Sequence, residues 1–184
     1  MAGTSTEGNR QKVIDALNSA RSLELNAIAQ YMNHHYNLAN MDYGDMAMNM
    51  KLIAIDEMRH AELFAERIKE LDGEPTVSPA GKPAKDGEVA LMFDSNTSLE
   101  NGAIEAYNGF VQVCRASGDH ASARLFEQII DDEQAHFNYF DSVRDHIDSL
   151  GDTYLARIAG TPAATGIVYQ GFVDRLNAGG GGAA

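Results

Sequence analysis

Apolar residues recur at helical spacing in four long segments of the chain. The first runs about Asn9 to Asn37, with Val13, Leu17, Ala20, Ala27 and Tyr31 as its inner stripe. The second runs about Gly44 to Leu71 on Met50, Ile53, Ala54, Ala61, Phe64, Ile68 and Leu71. Asp72-Gly73 ends it, with Gly73 free to take positive φ. The third starts at Asn96 or Thr97, either a good N-cap. It carries Leu99, Ala103, Tyr107, Phe110 and Val113 and stops at Gly118. Gly102 and Gly109 each weaken it by about 1 kcal/mol relative to alanine. One heptad apart, they invite close approach of another backbone. Asp119 caps the fourth, whose stripe of Phe126, Ile129, Ile130, Phe137, Phe140, Val143 and Ile147 leads to Leu150-Gly151. A short fifth helix is predicted over about Asp152 to Ala159. Residues 161–184, with Pro162, Gly166 and Gly179 to Gly182, read as a loosely held tail after a single domain of residues 1–160.

Between the second and third segments, Gly73 to Asn96 holds three of the four prolines, Pro75, Pro79 and Pro83. A connection this long needs a reason. It is long enough to run back along a helix of about 42 Å. The second and third helices would then be parallel, in an all-α four-helix bundle with one long crossover.

Charged residues interrupt the apolar stripes in a repeating pattern. Glu57-Met58-Arg59-His60 and Glu133-Gln134-Ala135-His136 are two Glu-x-x-His words, offset by 76 residues. Glu24 and Glu100 each stand 33 residues before their word. The same offset pairs Ala27 with Ala103, Ile28 with Ile104, Tyr31 with Tyr107, Asp56 with Asp132 and Phe64 with Phe140. Residues three apart share a helix face, so each Glu and His of a word reach one point. Buried charges must be paired or metal-bound. Six of them at one internal symmetry read as a two-metal site, and carboxylate with imidazole suits Fe, Mn or Zn. Four carboxylates balance two divalent cations. Zinc has no redox chemistry, so two iron ions per chain are the stronger reading. Glu57 and Glu133 are expected to bridge, Glu24 and Glu100 to be terminal, and His60 and His136 to serve one metal each. Ligating histidines usually donate their other N–H to a carboxylate. This predicts crossed pairs, Asp56 with His136 and Asp132 with His60, against the alternative of plain surface aspartates. Tyr31 and Tyr107 are either core tyrosines with a hydroxyl partner or neighbours of the metals that donate a hydrogen bond or electrons.

Met58 breaks the repeat, standing where Gln134 stands in the other half. It is turned roughly 100° around the helix from Glu57, away from the metal face. Leu25, Ile28, Ala29, Met32 and Ile55 extend the same outward apolar surface, which signals a partner. Read alone, Met58 packs in a subunit interface or, more sharply, is a thioether ligand to haem iron.

Composition narrows the function classes. With 184 residues, 44% of them hydrophobic, the chain buries a full core as one domain. A net charge of −13 argues against nucleic acid and favours a surface that attracts cations. One cysteine, Cys114, fits a reducing compartment, hence the cytoplasm. No signal peptide and no span of the roughly 20 apolar residues a membrane needs is legible.

The metal spacing, Asp56-Glu57-Met58-Arg59-His60 and Asp132-Glu133-Gln134-Ala135-His136 together resemble the bacterioferritin family over about residues 9–160, most of all members from sulfate-reducing bacteria with a longer C-terminal tail. The resemblance implies a ferritin-like bundle with a short fifth helix, assembled through dimers into a hollow 24-subunit shell. It implies ferroxidation, in which Glu24, Glu57, His60, Glu100, Glu133 and His136, with Tyr31 nearby, oxidise Fe2+ with O2 or peroxide and ferric mineral collects inside. It also implies a haem across a twofold interface, with Met58 as axial ligand and Leu25, Ile28, Ala29, Met32 and Ile55 lining its pocket. The haem would carry electrons from a donor protein for mineral release. The rival is a non-storing di-iron peroxidase or oxidase of the rubrerythrin type, whose additional four-cysteine iron site a chain with one cysteine cannot build. A DNA-sheathing mini-ferritin, the third reading, builds its metal site between subunits and would lack its basic tail here.

Overall fold

The structure, a computed structural model, describes residues 2–162 and 170–179, with side chains from residue 7 onward. Four long helices make the bundle: α1 (Ala2–Asn40), α2 (Gly44–Glu70), α3 (Val89–Ala116) and α4 (His120–Leu150). Two short ones follow, α5 (Asp152–Ile158) and α6 (Phe172–Gly179). Among the described residues, no helix is long and apolar enough to cross a membrane.

The crossover between α2 and α3 runs the length of α1. Asn18 donates to the Glu74 carbonyl, the Ala80 N–H to the Ser22 carbonyl, the Ala84 N–H to Gln30 Oε1 and Asn37 to the Asp86 carbonyl. Later crossover residues therefore meet later residues of α1. α3 starts at the end where α2 started, and the two are parallel. α1 packs mainly on α2 and α3 on α4, so the chain is two helical hairpins pressed together.

α3 begins seven residues before the predicted start. Asn96 and Thr97 are buried inside it. Its N-cap, Glu88, makes no side-chain capping bond. Burial of Val89, Met92 and Phe93 against Leu38, Met46 and Met50 holds the added turns instead. Asn96 serves a buried polar knot, where its Oδ1 accepts from Gln30 Nε2 at 2.9 Å and lies 3.1 Å from His34 Nδ1.

α2 ends in a Schellman turn, with the Asp72 N–H on the Lys69 carbonyl and the Gly73 N–H on that of Ile68. Asp72, not Gly73, takes the positive φ, at 59°. Gly73 is needed for room instead, because a Cβ there would lie 2.8 Å from Ile68 Cγ2 and 3.0 Å from Ile14 Cγ2. At Gly102 and Gly109 a Cβ would meet nothing within 4 Å, so the expected close backbone approach is absent.

Asp119 caps α4 as predicted, accepting from the Ser122 N–H at 3.0 Å and pairing with Arg67 of α2 at 2.9 Å. Burial raises the Asp119 pKa, but the Ser122 N–H and Arg67 outweigh it and leave the carboxyl below its ordinary value. A depressed folded pKa stabilises the fold above the unfolded pKa, and this contribution is lost as pH falls through the folded one. Asp119→Ala should cost about 1–2 kcal/mol, seen as a lower thermal midpoint at neutral pH. The gap to wild type should narrow as pH falls below about 4.

The predicted fifth helix is α5. Gly44 donates to the Thr161 carbonyl at 2.8 Å and leaves no room for a Cβ, which would lie 2.4 Å from the Pro162 carbonyl carbon. The expected loose tail is structured in part: α6 packs on α2 and α4 and buries Phe172 in the core. Residues 163–169 and 180–184 lie outside the described residues.

The core forms two apolar clusters. One, around Leu38, Met50, Phe93 and Phe140, lies toward the start of α2. The other, around Leu17, Phe64, Ile68, Cys114 and Phe126, lies toward its end. Burial pushes the Cys114 thiol up to about 11, as expected for an inert core cysteine. Between the clusters sits a layer of ionisable groups.

Candidate metal centre

Glu24 from α1, Glu57 and His60 from α2, Glu100 from α3, and Glu133 and His136 from α4 meet in that layer, none more than 3% exposed. All six predicted ligands are therefore together. They form two sets, Glu24, Glu57, His60 and Glu133, and Glu57, Glu100, Glu133 and His136, each with ligand atoms within 4.8 Å of one another. Glu57 and Glu133 belong to both, as bridging groups would.

His60 Nδ1 lies 3.1 Å from Glu57 Oε2, 3.2 Å from Glu133 Oε1 and 3.9 Å from Glu24 Oε1. His136 Nδ1 lies 3.1 Å from Glu57 Oε1, 3.4 Å from Glu133 Oε2 and 4.0 Å from Glu100 Oε1. One ring N–H can satisfy one acceptor, yet three crowd each nitrogen. Ligands about 2.1 Å from a shared cation lie roughly 3.0–3.4 Å apart in octahedral or tetrahedral geometry. Glu57 Oε1 and Glu133 Oε1 have no hydrogen-bond partner although buried. Orphaned carboxylate oxygens facing a nitrogen at coordination spacing fit a pair of cations better than a protein-only network.

Protonation in the metal-free layer follows from the same contacts. Burial opposes charge on His60, but Asp132, Glu133 and Glu57 hold it well above its ordinary pKa. Burial likewise opposes charge on His136, and Glu57, Asp56 and Glu133 raise it. Burial and the Glu133 charge push Glu57 up, but His136 and His60 bring it below the usual range. Burial is also outweighed at Glu133, which the two histidines hold far down. Burial, with the bridging carboxylates, keeps Glu24 and Glu100 raised. The proton affinity of the layer is thus shifted toward the histidines and the two outer glutamates and away from the shared pair, Glu57 and Glu133.

The crossed pairs expected of the aspartates are present. His136 Nε2 lies 3.4 Å from Asp56 Oδ2, and His60 Nε2 lies 3.3 Å from Asp132 Oδ2. The tyrosines cross too, which the sequence did not suggest. Tyr31 donates to Glu100 Oε1 and Tyr107 to Glu24 Oε1, each at 2.5 Å. Burial first, then the Glu100 and Glu24 charges, raise the two phenols well above their ordinary pKa. They are hydrogen-bond donors that fix the outer glutamates. A cavity of about 290 Å³ between α1 and α3, walled by Leu23, Ala27, Leu99 and Ala103, reaches all four glutamates.

Met58 lies on the outer face, 56% exposed. With Leu25 and Ile28 it lines a concavity of about 540 Å³, flanked by Arg21, Ala61, Glu62 and Ala65. Ala29, Met32 and Ile55 are outside this concavity: Ala29 is exposed, Ile55 is half-buried and Met32 packs against the core. An exposed thioether in an apolar hollow fits the edge of a porphyrin.

A family model, the ferritin-like domain, matches residues 14–150. The bacterioferritin of Desulfovibrio desulfuricans is 57% identical over 94% of this chain and 96% of its own. That of Streptomyces coelicolor is 34% identical over 80% and 89%. The X-ray structure of the Desulfovibrio desulfuricans bacterioferritin, described as showing its diiron site in different catalytic states, superposes with a TM-score of 0.86 at 56% identity. It covers 91% of this chain and 98% of that one. The helices, the two ligand sets and these relatives agree: the chain belongs to the bacterioferritin family.

Proposed function

We propose that this protein oxidises Fe2+ and stores the product as ferric mineral inside an oligomeric shell. The observation that carries the reading is the pair of buried ligand sets sharing Glu57 and Glu133, whose free oxygens point at the histidines. Glu24 with His60 would hold one Fe2+ and Glu100 with His136 the other, both bridged by Glu57 and Glu133. O2 or peroxide accepts the electrons. Tyr31 and Tyr107 keep the outer carboxylates in place, and Asp56 and Asp132 fix the ring orientation of the histidines. The α1/α3 cavity is the route for iron. Supporting assembly are the family relationship and the outward apolar face at Met58. A 24-subunit shell, a cytoplasmic location and an electron-donor partner belong to the same proposal. Met58 would hold a haem at a twofold interface, which when bound supplies a one-electron carrier for mineral release. Loading purified protein with Fe2+ in air tests the whole reading. A large assembly retaining far more iron than its binding sites supports it, and a small oligomer without an iron core overturns it.

Competition between protons and metal at the histidines and glutamates sets the pH dependence of loading. Divalent cations must displace whatever protons the raised His60, His136, Glu24 and Glu100 hold, because a metal takes neutral imidazole and ionised carboxylate. Binding that releases protons tightens as pH rises. Anaerobic addition of Fe2+ to weakly buffered protein should acidify the solution, and affinity should fall as pH drops. Uptake without proton release would show that the layer is already deprotonated.

A further inference from the structure

We propose that α6 makes the two symmetric half-sites unequal: it locks the His136 side, so that its metal exchanges slowly, while the His60 side exchanges freely. The inference rests on the two-metal reading above. The internal repeat alone would make the sides equal, since each has the same ligands and the same aspartate behind its histidine.

The aspartates differ in what covers them. The Asp56 side chain is 5% exposed, that of Asp132 38%. Asp56 Oδ2 accepts from the Val173 N–H at 3.0 Å as well as facing His136, and Asp56 Oδ1 lies 3.4 Å from Arg59 Nη1. Asp174 of α6 holds the same guanidinium nitrogen at 2.7 Å. The Phe172 ring lies 6.1 Å from that of His136 and 5.1 Å from that of Tyr139. The fit is tight, because a Cβ at Gly171 would lie 1.5 Å from Asp56 Oδ1. A histidine leaves a metal by turning its ring. His136 cannot turn without freeing Asp56 from α6 and displacing Phe172 from a close-packed core. His60 needs only Asp132, which already opens to water. Gly171, Phe172 and Val173 are therefore positioning residues that act through Asp56 and His136.

The test uses full-length protein loaded with two Co2+ per chain, one for each ligand set, and followed by visible absorption during extraction with excess chelator. Wild type should release Co2+ in two phases of equal amplitude. Gly171→Ala, which forces α6 away from Asp56, and Phe172→Ala should each speed the slow phase by roughly 10–100-fold, as loss of support behind a ligand does, and leave the fast phase alone. Asp132→Asn should alter the fast phase alone. Release in one phase from wild type, or a slow phase unmoved in both α6 variants, overturns the inference although two Co2+ are bound. Uptake of fewer than two Co2+ per chain overturns the two-metal reading and this inference with it.

Discussion

The double variant Glu57→Ala/Glu133→Ala is expected to oxidise Fe2+ no faster than buffer does. These two carboxylates are the groups common to both ligand sets, so their loss strips two ligands from each metal position at once. They are also the carboxylates that both histidines contact, at 3.1–3.4 Å. Without them, His60 and His136 lose the partners that hold their protons and two cations would enter a pocket with too few anions. The loss should exceed the roughly 10–100-fold that removing an outer support of a metal site costs. Circular dichroism should still report a helical bundle, since the two apolar clusters on either side are untouched. Stopped-flow absorbance of Fe3+ formation makes the comparison, and rapid oxidation in a folded double variant would put the chemistry elsewhere.

Met58→Ala should yield protein that assembles, oxidises Fe2+ normally and shows no Soret band. The side chain is more than half exposed and packs in an outer hollow with Leu25 and Ile28. Its removal should change the stability of one chain by no more than about 0.5 kcal/mol, the usual range for an exposed position. It points away from the layer of six ligands, so the oxidation rate serves as an internal control. A haem bound there would lose its sulfur ligand, since no other described residue lining the hollow offers a thioether or imidazole. A Soret band of wild-type intensity in Met58→Ala would remove the residue from haem binding.

Much of the centre was legible because helix periodicity and the repeat constrained each other. A Glu-x-x-His word fixes one face of one helix, and the second copy fixes its partner's. Asp56 and Asp132 followed from what ligating histidines need behind them. The tyrosine crossing was not legible. Tyr31 lies close to Glu24 along α1, and only the packing of α1 against α3 decides that its hydroxyl reaches Glu100. The start of α3 is hidden in the sequence because Asn96 has good capping chemistry, while what sets the true start, burial of Val89, Met92 and Phe93, is tertiary. The buried knot of Gln30, His34 and Asn96 escaped for a similar reason, since its members are far apart in sequence and lack a repeat. α6 carries little signal in the sequence, because the glycines around it suggest looseness. What orders it is one apolar anchor, Phe172, and a carboxylate on another helix.

Each ligand set draws on both hairpins: Glu133 of the second completes the set around His60, and Glu57 of the first completes the set around His136. Neither hairpin can bind even one metal properly by itself. In effect the protein is a dimer of hairpins written as one chain, and residues 71–88 are its tether. A short tether sets an effective concentration of roughly millimolar, far above what two free hairpins would meet in dilute solution. Assembly of the metal layer is thereby independent of how much protein is present. Iron can be captured by the first chains made, before there are enough of them to build anything larger.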